Sequence, residues 1–308
     1  MGMVFVTITG VAGYGTVEYR GILSRLTARL RHVNHTGAEW SPLMPTLDLP
    51  QGNKLTYRDD GEGAPLLLVH GSPGDSRSWT RVAPHLRDRF RVLAVDLPGY
   101  GNSDGVSDEP VGRAALMGAA VARLAESCGQ PVRLAGHSYG GVVALQAALQ
   151  ATTGTVERLV LFEPVFFRAL QLTNDKRALD PAAVHFENYA SRAAAGEPAV
   201  VRVMIDYWFG EGAYTRMPEQ VRDYLEANAP RNALDVRSSF NDTATAEQLR
   251  ALDCQVLVAY GDRSPEIVQA IGRGLMKLLP NARMEALAGA NHGMLDSHPE
   301  AVARLIAS

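Results

Sequence analysis

The sequence predicts an α/β architecture, a mostly parallel sheet flanked by helices and interrupted by a helical insertion. Three observations predict it. From Lys54 onward, short runs rich in Val, Leu and Ile recur, and several are apolar on both faces, as strands covered by helices on two sides are. Helix-length segments alternate with these runs, and Gly/Pro turns separate the two. The chain has 308 residues, of which 46% are hydrophobic and 20% charged. That length and balance support a sizeable core and exclude a disordered or collagen-like chain.

Taken in order, the sequence first shows EYRGILSRLTARLRHVNH at residues 18–35, with Ile22, Leu26, Leu30 and Val33 on one helical face and arginines mostly elsewhere. A basic amphipathic helix packed on its own domain is expected there, with a surface or partner contact as the alternative. Ser41 to Pro50 carries three prolines and predicts a linker, so residues 1–50 are expected to form an N-terminal extension. The candidate strands are Leu55 to Arg58, Leu66 to Val69, Arg91 to Val95, Val132 to Ala135, Arg158 to Phe162, Gln255 to Tyr260 and Arg283 to Ala286. Between Pro164 and Leu252 strand-like runs stop. The stretch is charged, Ala-rich and helical in character, with Tyr189, Tyr207, Trp208, Phe209 and Tyr214. It predicts a helical cap at residues 164–250, lying over one end of a core built from 51–163 and 251–308.

Composition narrows the partners. A net charge of −3 gives no field for gathering phosphate backbones, so nucleic acid is not an expected partner. Two cysteines, Cys128 and Cys254, form no disulfide framework and no metal spacing, and they suit a reducing cytoplasm. The first residues lack the positive charge of a secretory leader, and no run of 18 apolar residues predicts a membrane span. No phosphate-binding G-x-x-x-x-G-K-[ST] occurs, GVAGYGTVEYRG lacks the third glycine of a dinucleotide loop, and HExxH and paired CxxC are absent. His32 and His35 have the spacing of a helical metal pair without a third ligand, so no metal is expected.

The strongest chemical signal is Gly136-His137-Ser138-Tyr139-Gly140, placed between a strand and a small apolar helix. A turn that tight needs glycines on both sides and lifts Ser138 above the sheet edge. A serine hydroxyl is a poor nucleophile near neutral pH and needs a base and oxyanion donors. His292, on the small-residue loop Ala288 to Gly293 after the last strand, is the candidate base. The backbone amides of Ser72, in His70-Gly71-Ser72-Pro73-Gly74, and of Tyr139 are the candidate donors, and His70 is expected to hold its loop. His85, His185 and His298 are expected to be surface or structural, and Asp96 to accept backbone N–H groups in its turn.

HGSPG, DLPGYGNSD, GHSYGG and GANHG, in this order, resemble the α/β-hydrolase fold family over Lys54 to Phe162 and Ala251 to Ser308. The resemblance implies a Ser-acid-His triad in that chain order, an oxyanion hole of two amides, a helical lid and no cofactor. The acid departs from the family's common G-x-x-D-P, because Gly261-Asp262-Arg263-Ser264-Pro265 puts Ser264 where the aspartate would stand. Some relatives carry the acid after the preceding strand, which here is Glu163, following Leu159 to Phe162. A carboxylate there would be desolvated and in need of a partner such as an imidazole N–H. Glu163 is favoured over Asp262, with a salt bridge from Glu163 to Arg168 as the alternative to a catalytic role. The resulting expectation is a hydrolase of a small-molecule carboxylic ester, lactone or thioester. The alternatives are a carbon–carbon bond hydrolase, a cofactor-free haloperoxidase, or a binding module that kept the fold.

Overall fold

A computed structural model describes residues 44–50, 52–106 and 108–308. The helix expected at 18–35 and the His32/His35 pair lie outside the described residues. Eight strands form one sheet: β1 (Thr46–Asp48), β2 (Lys54–Asp60), β3 (Ala64–Val69), β4 (Phe90–Val95), β5 (Val132–His137), β6 (Val156–Phe162), β7 (Gln255–Gly261) and β8 (Ala282–Leu287). Their spatial order is β1-β2-β4-β3-β5-β6-β7-β8. β1 and β2 run antiparallel to their neighbours, and β3 to β8 are parallel. All seven expected strands are present. The eighth, β1, falls inside the stretch read as a linker; Pro45 and Pro50 flank it, and an outermost strand tolerates prolines at its ends.

Successive side chains of a strand face opposite sides, so each parallel strand feeds two apolar layers. Leu67, Val69, Leu93, Val95 and Leu134 enter one, and Leu66, Leu68, Val92, Ala94 and Ala135 enter the other. The first layer is covered by α1 (Arg113–Ser127) and α2 (Tyr139–Gln150). Between β6 and β7 come α3 (Arg168–Leu172), α4 (Lys176–Ala194), α5 (Val201–Phe209), α6 (Ala213–Arg216), α7 (Glu219–Ala227), α8 (Ala229–Phe240) and α9 (Ala246–Arg250), with no strand among them. The core resumes with α10 (Glu266–Leu278), α11 (Met294–Ser297) and α12 (Pro299–Ala307). α10 joins the first layer, whereas α12 closes the second through Val302 and Ile306, with Trp79 and Val82.

Parallel strands deliver their carboxyl ends to one rim of the sheet, and ligands of such sheets bind at that rim. His70 follows β3, Ser138 follows β5, Glu163 follows β6, Ser264 follows β7 and His292 follows β8. The topology therefore gathers residues separated by more than two hundred positions along the chain.

Candidate active site

Ser138 occupies the bend between β5 and α2 with φ 55° and ψ −123°, a backbone conformation that L-residues rarely adopt. The bend is kept by close approaches. A Cβ on Gly136 would strike the Gly140 carbonyl, and one on Gly140 would strike the His70 carbonyl. Both positions therefore require glycine. Ser138 N–H donates to the Phe162 carbonyl at 2.9 Å, which ties the bend to β6. Glu163, the next residue after Phe162, also has a positive φ of 46°. The two strained non-glycine positions thus stand at the ends of neighbouring strands.

The side chains converge. His292 Nε2 lies 3.0 Å from Ser138 Oγ, and His292 Nδ1 lies 2.6 Å from Glu163 Oε2. With Nδ1–H donating to the carboxylate, Nε2 is left as the acceptor for the serine hydroxyl. Glu163 is fully buried. Its other oxygen, Oε1, accepts from Gly261 N–H at 2.7 Å and from Ser264 Oγ at 2.5 Å. Burial alone would push this carboxyl up. The His292 contact, with the Ser264 and Gly261 donors, outweighs burial and holds it below its ordinary 4.5. Ser264, at the place of the expected aspartate, thus serves as a hydrogen-bond donor to an acid carried one strand earlier.

The alternative acid points elsewhere: Asp262 is exposed and its Oδ1 accepts from Gly289 N–H at 2.8 Å. Arg168 does not pair with Glu163; its guanidinium donates to the Ala244 carbonyl and to Gln171. His70 Nδ1–H donates to the Gly71 carbonyl at 2.8 Å and Nε2 accepts from Leu97 N–H at 2.9 Å, so the buried ring fastens two loops. Asp96 accepts from Ser76 N–H and Asn102 N–H, as a turn residue does. His185 packs on Tyr207, His298 meets Ser297, and His85 is exposed.

The loop after β3 presses on the serine. A Cβ on Gly71 would stand 3.0 Å from Ser138 Cβ, so Gly71, whose carbonyl carbon carries the Ser72 amide, packs against the bend. Tyr139 is the first residue of α2, where a helix leaves its N–H groups without intrahelical acceptors. Ser72, Ser138, Tyr139 and His292 all line one cavity of about 260 Å³ beneath the cap. Its walls are mainly apolar, with Phe167, Phe186, Met204, Ile205 and Leu225 beside Trp208 and Phe209. Of the five cap aromatics noted in the sequence, Trp208 and Phe209 line this cavity. Tyr189 is buried in a hydrogen bond to Asn232, Tyr207 packs on Phe186, and Tyr214 bonds Glu226.

The sequence marked Trp208 and Phe209 only as cap aromatics, without their contact to His292, and it did not mark His137, Asn232 or Asp235. The Trp208 ring stacks on His292 with centroids 4.6 Å apart and planes 22° apart, and Phe209 meets the same ring edge-on at 5.7 Å. His137 donates from Nε2 to the His292 carbonyl at 2.9 Å, and burial together with the neighbouring His292 pushes it down to about 3. It is therefore neutral near pH 7. Asn232 and Asp235 of α8 supply polar groups to the cavity wall. Of His137, Asn232 and Asp235, only His137 carried a signal, as the variable residue inside the glycine-flanked motif. No group of three or more His, Cys, Asp or Glu arranged to hold a metal occurs among the described residues. No described helix is long and apolar enough to cross a membrane, and Cys128 and Cys254 are free.

Comparison with known proteins gives the family. The model of the alpha/beta hydrolase family matches residues 66–305. Polyketide synthase ThaQ of Burkholderia thailandensis is 29% identical over 270 residues, which is 83% of this chain and 12% of the synthase. The chain therefore spans a small part of that relative. The pimeloyl-[acyl-carrier protein] methyl ester esterase of Photobacterium profundum is 28% identical over 258 residues, 80% of this chain and 94% of that enzyme. The solved esterase EaEST from Exiguobacterium antarcticum superposes with a TM-score of 0.68 at 18% identity, over 86% of this chain and 100% of that one. The chain belongs to the α/β-hydrolase family, and it is an enzyme of that family.

Proposed function

We propose that this α/β hydrolase cleaves carboxylic esters, lactones or thioesters of small molecules through an acyl-enzyme intermediate on Ser138. The observation that carries the reading is the buried line Ser138 Oγ, His292, Glu163, joined at 3.0 Å and 2.6 Å. In the reaction, Ser138 Oγ adds to the carbonyl carbon while its proton passes to His292 Nε2. Glu163 fixes the ring through Nδ1–H and balances the charge of the imidazolium. The amides of Ser72 and Tyr139 receive the tetrahedral oxyanion, a contribution worth about 3 to 4 kcal/mol per donor in a serine protease. Collapse expels the alkoxide or thiolate, which takes the proton from His292. Water then repeats the sequence, adding to the acyl carbon as His292 accepts its proton, and releases the carboxylic acid with the Ser138 hydroxyl restored.

The apolar wall formed by Phe167, Phe186, Met204 and Ile205 suits a neutral, short to medium acyl group. A fluorophosphonate probe followed by peptide mapping tests the nucleophile, and a p-nitrophenyl ester series of rising chain length, run with lactones, tests the substrate. An adduct on Ser138 that disappears in Ser138→Ala, with turnover falling for long chains, is the expected result. Folded protein that neither forms the adduct nor hydrolyses any member of the panel would support the binding-module reading instead.

A further inference from the structure

Six side chains, all buried except the half-buried Ser72, form a continuous hydrogen-bond chain beside the cavity, and its direction is determined at every link. Arg113 Nε–H donates to Asp235 Oδ1 at 2.7 Å, with both side chains almost wholly buried. Tyr100 O–H donates to Asp235 Oδ2 at 2.5 Å. The Tyr100 oxygen is therefore left to accept, so in the 3.0 Å contact with Ser72 the serine hydroxyl is the donor. Ser72 Oγ accepts in turn from Asn232 Nδ2–H at 2.9 Å. Asn232 Oδ1 then accepts from Tyr189 O–H at 2.7 Å. Burial and the Asp235 carboxylate push the Tyr100 hydroxyl well above its ordinary 10, which keeps it a donor.

The chain crosses between two parts of the fold. Ser72, Tyr100 and Arg113 belong to the loops and helix of the sheet layer, whereas Tyr189, Asn232 and Asp235 come from α4 and α8 of the insertion. Ser72 sits in the middle, held from both directions. Its hydroxyl is committed to Tyr100 and Asn232, while Gly71, bonded to its amide, packs on Ser138.

We propose that the Tyr100-Ser72-Asn232 chain, anchored by Asp235 and Arg113, positions the Ser72 amide for the oxyanion, so that the cap helix α8 sets the register of a donor carried by the sheet. Tyr100, Asn232 and Asp235 are positioning residues in this scheme, since they act through Ser72. The inference rests on the acyl-enzyme reading above and on the donor role that it gives Ser72.

Tyr100→Phe and Asn232→Leu each cut the chain on one side of Ser72, and Ser72→Ala removes its centre while keeping the backbone amide. A shift of about an ångström in a catalytic group costs on the order of a hundredfold. The expected result is a fall in kcat of about ten- to a hundredfold for all three, with KM changed less than threefold. A purely structural role would not discriminate between ligands, so the deciding measurement is a pair of inhibitors: a trifluoromethyl ketone, which forms an oxyanionic hemiketal with Ser138, and the matching methyl ketone, which fills the cavity without the charge. The variants are expected to weaken the first about tenfold or more and to leave the second unchanged. Equal weakening of both ketones, or unchanged kcat in Ser72→Ala, would overturn the positioning role. Should Tyr100→Phe or Asn232→Leu fail to fold, Ser72→Ala decides alone. Wild-type protein that hydrolyses esters while the variants behave as wild type rejects only this inference, whereas wild-type protein without turnover or fluorophosphonate adduct rejects the parent reading and this one with it.

Discussion

The rim of the sheet and the cap above it are built on different principles. At the rim, Ser138 and Glu163 are fixed by backbone: positive φ, obligatory glycines, and main-chain bonds from Ser138 N–H to Phe162 and from Glu163 N–H to Ala259. In the cap, Trp208, Phe209, Phe186 and Asn232 project from helix faces and reach the cavity through side-chain packing. On the proposed acyl-transfer reading, the difference is a division of labour: the rim would hold the groups that bond to substrate and pass its proton, while the cap would shape and dry the space in which they act. Substitutions at the rim should be severe and specific, and those in the cap graded and tolerant of like-for-like exchange.

Ser138→Ala probes the extreme of that contrast, with kcat expected to fall by about 10⁶, as for a serine protease nucleophile. Glu163→Gln should follow at up to about 10⁴, because the amide favours the wrong imidazole tautomer. Steady-state kinetics on a p-nitrophenyl ester measures both. Asp262→Asn on the same assay should stay within about twofold, since that carboxylate bonds Gly289 and faces solvent; a large loss there, with a small one for Glu163→Gln, would reverse the assignment of the acid. In the cap, Trp208→Leu is expected to cost about tenfold in kcat, the scale of a desolvated cation–π contact with the imidazolium that forms on His292. Trp208→Phe should recover most of it, and an equal loss in both would make the ring a filler.

Ser264→Ala sharpens the comparison within the rim. It removes one donor from a buried carboxylate, and the expected outcome is a drop of several degrees in Tm with a kcat loss of a few-fold. The acid side of the stability profile gives the smallest and most diffuse effect. His137 is neutral in the folded chain down to about pH 3 but takes a proton near its ordinary 6.5 when unfolded. The unfolded chain therefore binds more protons in that window, and stability falls as pH drops through it by up to about 1.4 kcal/mol per pH unit. Glu163, held below its ordinary 4.5, adds to the loss at the acid end of the same window. Thermal melts of His137→Gln between pH 7 and 4 should show a shallower decline than wild type; parallel slopes would refute the burial argument.

The strands were legible because parallel, doubly covered strands leave runs such as Leu66 to Val69 that are apolar at every position. Ser138 was legible because the bend around it demands glycines at fixed offsets, and Glu163 because a carboxylate closing a run of four apolar residues needs a partner. The edge strand β1 was hidden by the prolines that flank it. The Tyr100–Asp235 bond joins residues 135 positions apart, and no periodicity or spacing marks such a meeting. Nor does a helical pattern reveal which of its aromatics face a cavity, so Trp208 and Tyr189 read alike although one stacks on His292 and the other bonds Asn232. Ser264 carried a usable signal: an uncharged donor standing where relatives place a charge suggests that the charge has moved nearby.

The Arg113–Asp235 pair has a consequence for how molecules enter and leave. Lifting α8 away would break this ion pair, whose two side chains are almost wholly buried, together with the Tyr100–Asp235 hydrogen bond. Gln146, which donates to both oxygens of the buried Asp242, adds a second rivet between α2 and the end of the insertion. A substrate is therefore expected to enter and leave the cavity without a movement of α8.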